Sequence, residues 1–363
     1  MRRSWLKCLA LGLGLAVCQA RAGAQDAPTV SGLLPSSPVL SEQGKPPSAQ
    51  EYYEQGRPKD SKGKHDDPHA KHDDHGGHDD HKHHEPPDLG LRDFLTTGWD
   101  EKFEERHRKG VAPRFNLFKT RQGFLEQIFA VDYGYLSRTD GGRFNEHEAA
   151  AGFEYALNRR FEIDAKPFYT WKTSRGERAS QNGLRWDLGT RFQLIDTTDT
   201  AVNVQLRVVT PSAHLEDRQT TLGFVFAGFN DLTKHGLCRT GLYYHVEYDA
   251  LLGPRDAEPE AEGLPPVQRA SSRITYSVAL AKTLVDPEVP LIGDFTVFLE
   301  AFGATDLNGT KSSQTFFSFT PGVRMNLSGR EEKAWWLQTG YEIPVTGPRA
   351  FNYGFRIALI RDF

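Results

Sequence analysis

Three things are scarce in this chain: cysteine, methionine and long apolar runs. Of 363 residues only three are Cys and two are Met, and the mean hydropathy is -0.56. A membrane helix needs about 20 mostly apolar residues in a row, and no segment supplies them, which excludes a bundle of membrane helices. The one extended apolar run, residues 9–17, is too short. It follows Arg2, Arg3 and Lys7 and ends in Ala22, Gly23 and Ala24, the order of a secretory leader with cleavage expected before Gln25. Cys8 and Cys18 fall inside that leader, so the expected mature chain keeps only Cys238 and no internal disulfide holds it together. Val17 is branched where a lipid-attachment site wants a small residue, which argues against lipidation at Cys18.

Charge of one sign is also lacking. Forty-four Lys and Arg stand against 48 Asp and Glu, a net charge of -4, and this gives no basic footprint for nucleic acid.

What is present changes along the chain. Residues 25–87 are rich in Pro, Ser, Gly, Asp, Lys and His, with almost no apolar residue after Leu40 beyond Tyr52 and Tyr53. Such a stretch cannot bury enough apolar surface to offset chain entropy and is expected to be disordered. Within it, residues 65–84 carry His65, His69, His72, His75, His78, His81, His83 and His84 among Asp pairs. Neutral imidazole is a common ligand of borderline metals, and this spacing lets a flexible chain wrap Zn, Ni, Co or Cu without a preformed site. A soluble tether is the alternative reading of the same composition.

Residues 88–123 differ again, with Leu89, Leu91, Phe94, Leu95, Trp99 and Phe103 at roughly helical spacing before a charged run. The segment reads as a short amphipathic element lying in a barrel mouth as a plug or on a membrane surface, with a plain connection as the alternative.

From Phe124 onward the period is two. Val202, Val204, Leu206 and Val208 alternate with Asn203, Gln205 and Arg207, and eleven further segments behave likewise: 129–135, 149–155, 163–171, 184–192, 222–226, 242–248, 274–280, 295–301, 317–327, 335–343 and 353–359. Twelve strands in about 240 residues leave roughly 20 for each strand and its connection, which suits strands of about 9–11 residues crossing a bilayer at a tilt. Connections alternate between short turns and longer loops, the longest near residues 252–270. The expected fold is therefore all-β, a transmembrane antiparallel barrel of about twelve strands preceded by a disordered His-rich segment. A soluble β-sandwich is the rival, since alternation alone does not say which face meets lipid.

The chain ends NYGFRIALIRDF, where Phe355, Ile357, Leu359 and Phe363 resemble the C-terminal signal of outer-membrane barrels, although Arg361 stands where an apolar residue is usual. Residues 124–363 as a whole resemble the twelve-stranded transporter-like or phenol-degradation-pathway (MetA-type) outer-membrane proteins. RDFLTTGWDEKF followed by FLEQIFAVDYGY is also similar to barrel proteins of planctomycete-type bacteria. The resemblance implies a channel or uptake role, an outer-membrane location and small solutes and membrane lipid as partners.

If the polar alternants point inward, the lumen receives Glu126, Asp132, Glu148, Glu154, Glu162 and Asp164 from the first three strands. Lys166, Lys172, Arg185, Arg191, Arg207, Arg239 and Arg273 follow from the third through the eighth. Acid and base would then face each other across the pore, as a transverse field or as ion pairs. None of the barrel-region histidines (His147, His214, His235, His245) lies in a Gly-x-Ser-x-Gly setting, and no phosphate loop or Cys-x-x-Cys pair occurs in the mature chain. The expectation is a non-enzymatic channel for passive diffusion of small polar or aromatic solutes, with a metal-binding tail in the periplasm and no required cofactor. The alternatives are a periplasmic metal-capturing module anchored by the barrel, or an outer-membrane lipid-modifying enzyme.

Overall fold

A computed structural model describes residues 86–106, 111–139, 144–174, 182–211, 219–253, 270–286, 289, 292–309, 315–328, 334–346 and 351–363. The expected leader, the histidines of residues 65–84 and nearly all of the Pro- and His-rich stretch lie outside these residues.

Twelve strands follow one another: β1 Gln127–Arg138, β2 Phe144–Ala156, β3 Phe161–Thr173, β4 Asn182–Asp196, β5 Thr200–Val209, β6 Thr220–Asp231, β7 Thr240–Leu252, β8 Ser272–Thr283, β9 Gly293–Asp306, β10 Thr315–Asn326, β11 Trp335–Thr346 and β12 Tyr353–Asp362. Each pairs antiparallel with its neighbours in sequence, and β1 meets β12 from Ile128 opposite Asp362 to Ser137 opposite Tyr353. The sheet is closed, so no strand is left with an unpaired edge. All twelve segments read from the alternation are strands of this barrel.

The pleat sorts the side chains. On β7, Tyr243, His245, Glu247 and Asp249 are buried, while Val246 is 53% and Tyr248 44% exposed. The pattern repeats around the wall, with Phe129, Val131, Phe153, Ile163, Leu184, Leu206, Phe224, Leu280, Leu299, Ile343 and Leu359 all facing out. An outer face that is apolar on strand after strand, around an inner face of charges and amides, is the arrangement hydrocarbon requires and water penalises. The fold is a transmembrane β-barrel, and the sandwich alternative falls away. Arg361, on the outer face at the end of β12, lies over the Trp335 ring with 5.2 Å between its guanidinium carbon and the ring centroid. Its charge thus sits at an aromatic rim, where it costs least.

The turns β2–β3, β4–β5, β6–β7, β8–β9 and β10–β11 share one rim. Local polar groups close them: Asn158 Oδ1 accepts the N–H groups of Arg160 and Phe161, both at 2.8 Å, and Asp231 Oδ1 accepts that of Thr233 at 2.7 Å. The β6–β7 turn then passes through Gly236 at φ 88°, a left-handed conformation that glycine adopts without strain.

Residues 86–106 lie along this rim without forming a helix. Leu89 exchanges backbone hydrogen bonds with Asp196, 2.9 Å each way. Arg160 is fully buried beneath the segment, donating to the carbonyls of Thr97, Gln193, Leu194 and Gly90 at 2.8–3.2 Å. Its burial and the neighbouring Arg159 charge hold its guanidinium below its ordinary pKa. The helical spacing of 88–103 is thus used differently. Leu89 is buried against the turns, whereas Leu91 and Leu95 remain 59% and 83% exposed.

Candidate functional site

Residues 111–126 run inside the barrel. The root of this inner segment is apolar: Ala112, Phe115 and Phe124 are buried against Ala201, Phe229, Tyr243, Ala279, Ala281 and Phe298 of β5 to β9. Phe124 meets Phe229 edge-on with 5.5 Å between centroids, and Phe115 lies 5.8 Å from Tyr243 and 6.0 Å from Phe298. Gly123 is needed for the contact, because a Cβ there would come within 2.5 Å of the Gly228 Cα on the wall. The Tyr243 hydroxyl donates to the Pro113 carbonyl, and the Ala112 N–H donates to Asp231 at 3.1 Å. Apolar burial close to the short-turn rim therefore fixes both ends of the segment.

Its tip is polar. The backbone N–H groups of Phe118, Lys119 and Thr120 donate to the Glu300 carboxylate at 3.0, 2.7 and 2.9 Å, and the Thr120 hydroxyl adds a fourth bond at 3.2 Å. Glu300 is fully buried on β9, and among the described residues no Arg or Lys side chain forms an ion pair with it, the Lys119 ammonium being on Glu342; the amides carry its charge. Beside it, the Arg121 N–H donates to His245 Nδ1 at 3.0 Å, so the proton of the neutral ring resides on Nε2. Lys119 Nζ reaches Glu342 at 3.1 Å and Arg121 reaches Asp187 at 3.5 Å. Asn116 and Gln122 donate to Glu154 at 3.0 and 2.9 Å, and the Gln122 carbonyl accepts from Asn203 at 3.0 Å.

The charges expected in the lumen are interleaved rather than segregated. Arg191 on β4 serves Glu154 at 2.5 Å and Glu162 at 2.6 Å, with Asp164 at 3.9 Å. Arg207 lies between Asp187 and Glu247, at 2.7 and 2.6 Å. Lys166 pairs with Asp132 at 2.8 Å, Arg273 with Asp306 at 2.7 Å, and Glu148 meets Arg356 at 3.5 Å. Glu126, just ahead of β1, accepts from Asn116 at 2.8 Å. Lys172 and Arg185 lie over the rings of Phe144 and Phe168, and Arg185 also donates to the Thr210 carbonyl at 3.0 Å. Arg239 is a correction: it lies in the β6–β7 turn, at the rim, bound to Asp286 at 2.7 Å and Asp294 at 3.5 Å. β7 begins at Thr240, so the inward alternation of that strand does not extend back to Arg239.

The expected field across the pore depended on acids ending at β3. Asp187, Glu247, Asp249, Glu300 and Glu342 continue them on β4, β7, β9 and β11. Each is a polar alternant of its strand, so the same reading could have found them. Neighbouring strands therefore neutralise one another within the wall, and acids from both sides of it, Glu154 and Asp187 as well as Glu300 and Glu342, bind the inner segment.

Between the tip and the longer loops lies a cavity of about 340 Å³, whose charged lining is balanced: Lys119, Arg121, Lys166, Arg191, Arg207 and Arg356 beside Asp132, Glu148, Glu154, Asp187, Glu247 and Asp249, with His245 among them. On the opposite face of the wall, the His147 ring lies flat against Trp171 with 5.0 Å between centroids. Its nitrogens sit 2.8 Å from the Tyr133 hydroxyl and 3.1 Å from Thr173 Oγ1. This is a polar group satisfied within an aromatic belt.

Fold and lumen together define a twelve-stranded transmembrane β-barrel that carries part of its own chain inside. No protein-family model matches the sequence, and no curated protein matches it. Among solved structures, an outer membrane channel from Pseudomonas putida F1 is 11% identical with a TM-score of 0.47, over 72% of this chain and 100% of that one. The NanC porin gives 9% identity and a TM-score of 0.41 over 65% of this chain and 99% of its own. The KdgM porin gives 10% and 0.37 over 64% and 99%.

Proposed function

We propose that the protein is an outer-membrane channel for small polar or aromatic solutes, held shut by its own residues 111–126. The observation that carries this reading is the polar tip inside the barrel, hung from Glu300 by three amides. Passive passage needs the tip to move, and its anchors suit that. Most of them are hydrogen bonds and ion pairs that entering water replaces, beside the apolar contacts of Leu117 and Phe118, whereas the root at Phe115 and Phe124 is wholly apolar and stays. In this reading the short-turn rim faces the periplasm and the longer loops face outside, as in outer-membrane barrels generally. The resemblance to MetA-type barrels guides the choice of solute.

Replacing residues 116–122 with a Gly-Ser linker of equal length keeps Phe115 and Phe124 and removes the tip. In planar bilayers the full chain should pass current only in rare openings, and the replacement should conduct steadily. Equal conductance of the two proteins would refute the closure.

The tail belongs to the same proposal, with residues 65–84 as a periplasmic ligand for Zn, Ni, Co or Cu. Each imidazole must be neutral to ligate, and its unperturbed pKa is about 6.5, so binding present at pH 7.5 should fade near pH 5.5. Calorimetric titration of the full chain against a chain lacking residues 65–84 checks this. Unchanged binding after the deletion places the ligands elsewhere.

A further inference from the structure

The tip of the inner segment has the make-up of an anion receptor. Three successive backbone N–H groups converge on one carboxylate, and two cationic side chains flank them. In the closed barrel every one of these donors is matched to a wall acid: the amides to Glu300, Lys119 to Glu342 and Arg121 to Asp187. Consecutive amides pointing into one concavity bind anions in general, whatever supplies the anion. Here the wall supplies it, and the wall is also what the tip must leave for the lumen to open.

We infer that a small dianion, of the dicarboxylate or phosphate class, is the ligand that frees the tip by taking the place of these wall carboxylates. The inference rests on the channel reading above. The cavity of about 340 Å³ brings the ligand to the right place, since the tip forms part of its lining, and its size lies within the range of small-molecule sites, about 300–1,000 Å³. His245, which lines the same cavity, has an Nε2 with no partner among the described residues, a further buried donor on that side. Lys166, Arg207 and Arg356 line it as well, paired with Asp132, with Asp187 and Glu247, and with Glu148, so the approach is lined by neutralised pairs and the tip itself supplies the preference for an anion.

Two charges are required by the geometry. The amides, Lys119 and Arg121 are held by three separate carboxylates on β9, β11 and β4. A monoanion relieves one of these, whereas a dianion spans the amides and one side chain together. The ligand must also favour the open form, because equal affinity for both forms shifts nothing. It does so here because the amides are already occupied in the closed form and become available only when the tip has left Glu300. Glu300 is then solvated by the water that fills the opened lumen.

The test uses the full chain in planar bilayers in chloride buffer at constant ionic strength, with succinate, inorganic phosphate or acetate added. Succinate, phosphate or both should raise the open fraction about tenfold, within the usual range of coupling between a ligand and a conformational change, while acetate leaves it unchanged. The response to one dianion and not the other tells which oxyanion the receptor takes. Glu300→Gln should open without added dianion and respond less than twofold. Lys119→Met, which leaves Glu300 in place but removes the Lys119–Glu342 anchor, should raise the resting open fraction less than Glu300→Gln does and lose most of the succinate or phosphate response. Heat-dependent gel migration establishes that each variant is folded. If the Gly-Ser tip replacement conducts but neither dianion alters the full chain, or if both only block current, the receptor is wrong and the closure stands. A tip replacement that fails to conduct overturns the channel reading itself.

Discussion

Phe226→Arg should leave most of the protein unfolded in vesicles where Phe226→Leu folds normally. Phe226 is mid-strand on the outer face of β6, 46% exposed, with Val204 and Val246 directly opposite it on the flanking strands. Nothing polar lies across from it on either side. An arginine near mid-depth on the lipid face costs about 2–4 kcal/mol, and at this site the guanidinium would be far from both rims. The Leu variant keeps the apolar contact and changes only its area. The folded fraction, read from heat-dependent migration after refolding into phosphatidylcholine vesicles, should drop several-fold for Arg alone. Equal folding of both variants would mean that the outer wall at this level does not meet hydrocarbon.

The second large effect is inside. Arg191→Met removes the cation between Glu154 and Glu162, both within 2.6 Å, on a side chain that is 2% exposed. Glu162 is fully buried and, among the described residues, retains only the Glu126 N–H, at 2.6 Å. Taking one partner from a buried ion pair costs about 3–5 kcal/mol, because the remaining charges are left without compensation. Arg191→Met should therefore shift the urea midpoint of unfolding strongly downward. Adding Glu162→Gln to it should recover part of the loss, since the coupling of neighbouring charges is not additive. A midpoint that stays in place for the single variant would show that Glu154 and Glu162 are held by other means.

The strands were legible and the contents of the barrel much less so, for one physical reason. Period-two alternation survives because each strand has a single solvent on either side, so Val202, Val204, Leu206 and Val208 announce their face without reference to any other segment. The inner segment has no such one-sided surroundings. Its recognition depends on pairs far apart in sequence, such as Thr120 with Glu300 and Arg121 with His245. Residues 88–123 read as a candidate plug, but within them residues 116–122, Asn-Leu-Phe-Lys-Thr-Arg-Gln, show no period that says which side chains meet the wall. The same segment alters the inner wall. Gln205 and Thr320, polar alternants that would face water in an empty pore, are 4% and 1% exposed. A substitution there tests packing, not hydration.

The inner segment enters and leaves by the same rim. Arg114 binds Asp196 and the Thr197 carbonyl in the β4–β5 turn, at 2.9 and 2.7 Å, and twelve residues later Glu126 leads into β1 beside that rim. It is a hairpin-like excursion, not a thread. The described residues 86–106 lie along that same rim, so the excursion does not thread them through the lumen. The excursion can therefore be inserted after the β1–β12 seam has zipped shut, or withdrawn without breaking that seam. Assembly of the wall and filling of the lumen are thus topologically independent events, and they can follow in either order during the protein's insertion into the bilayer.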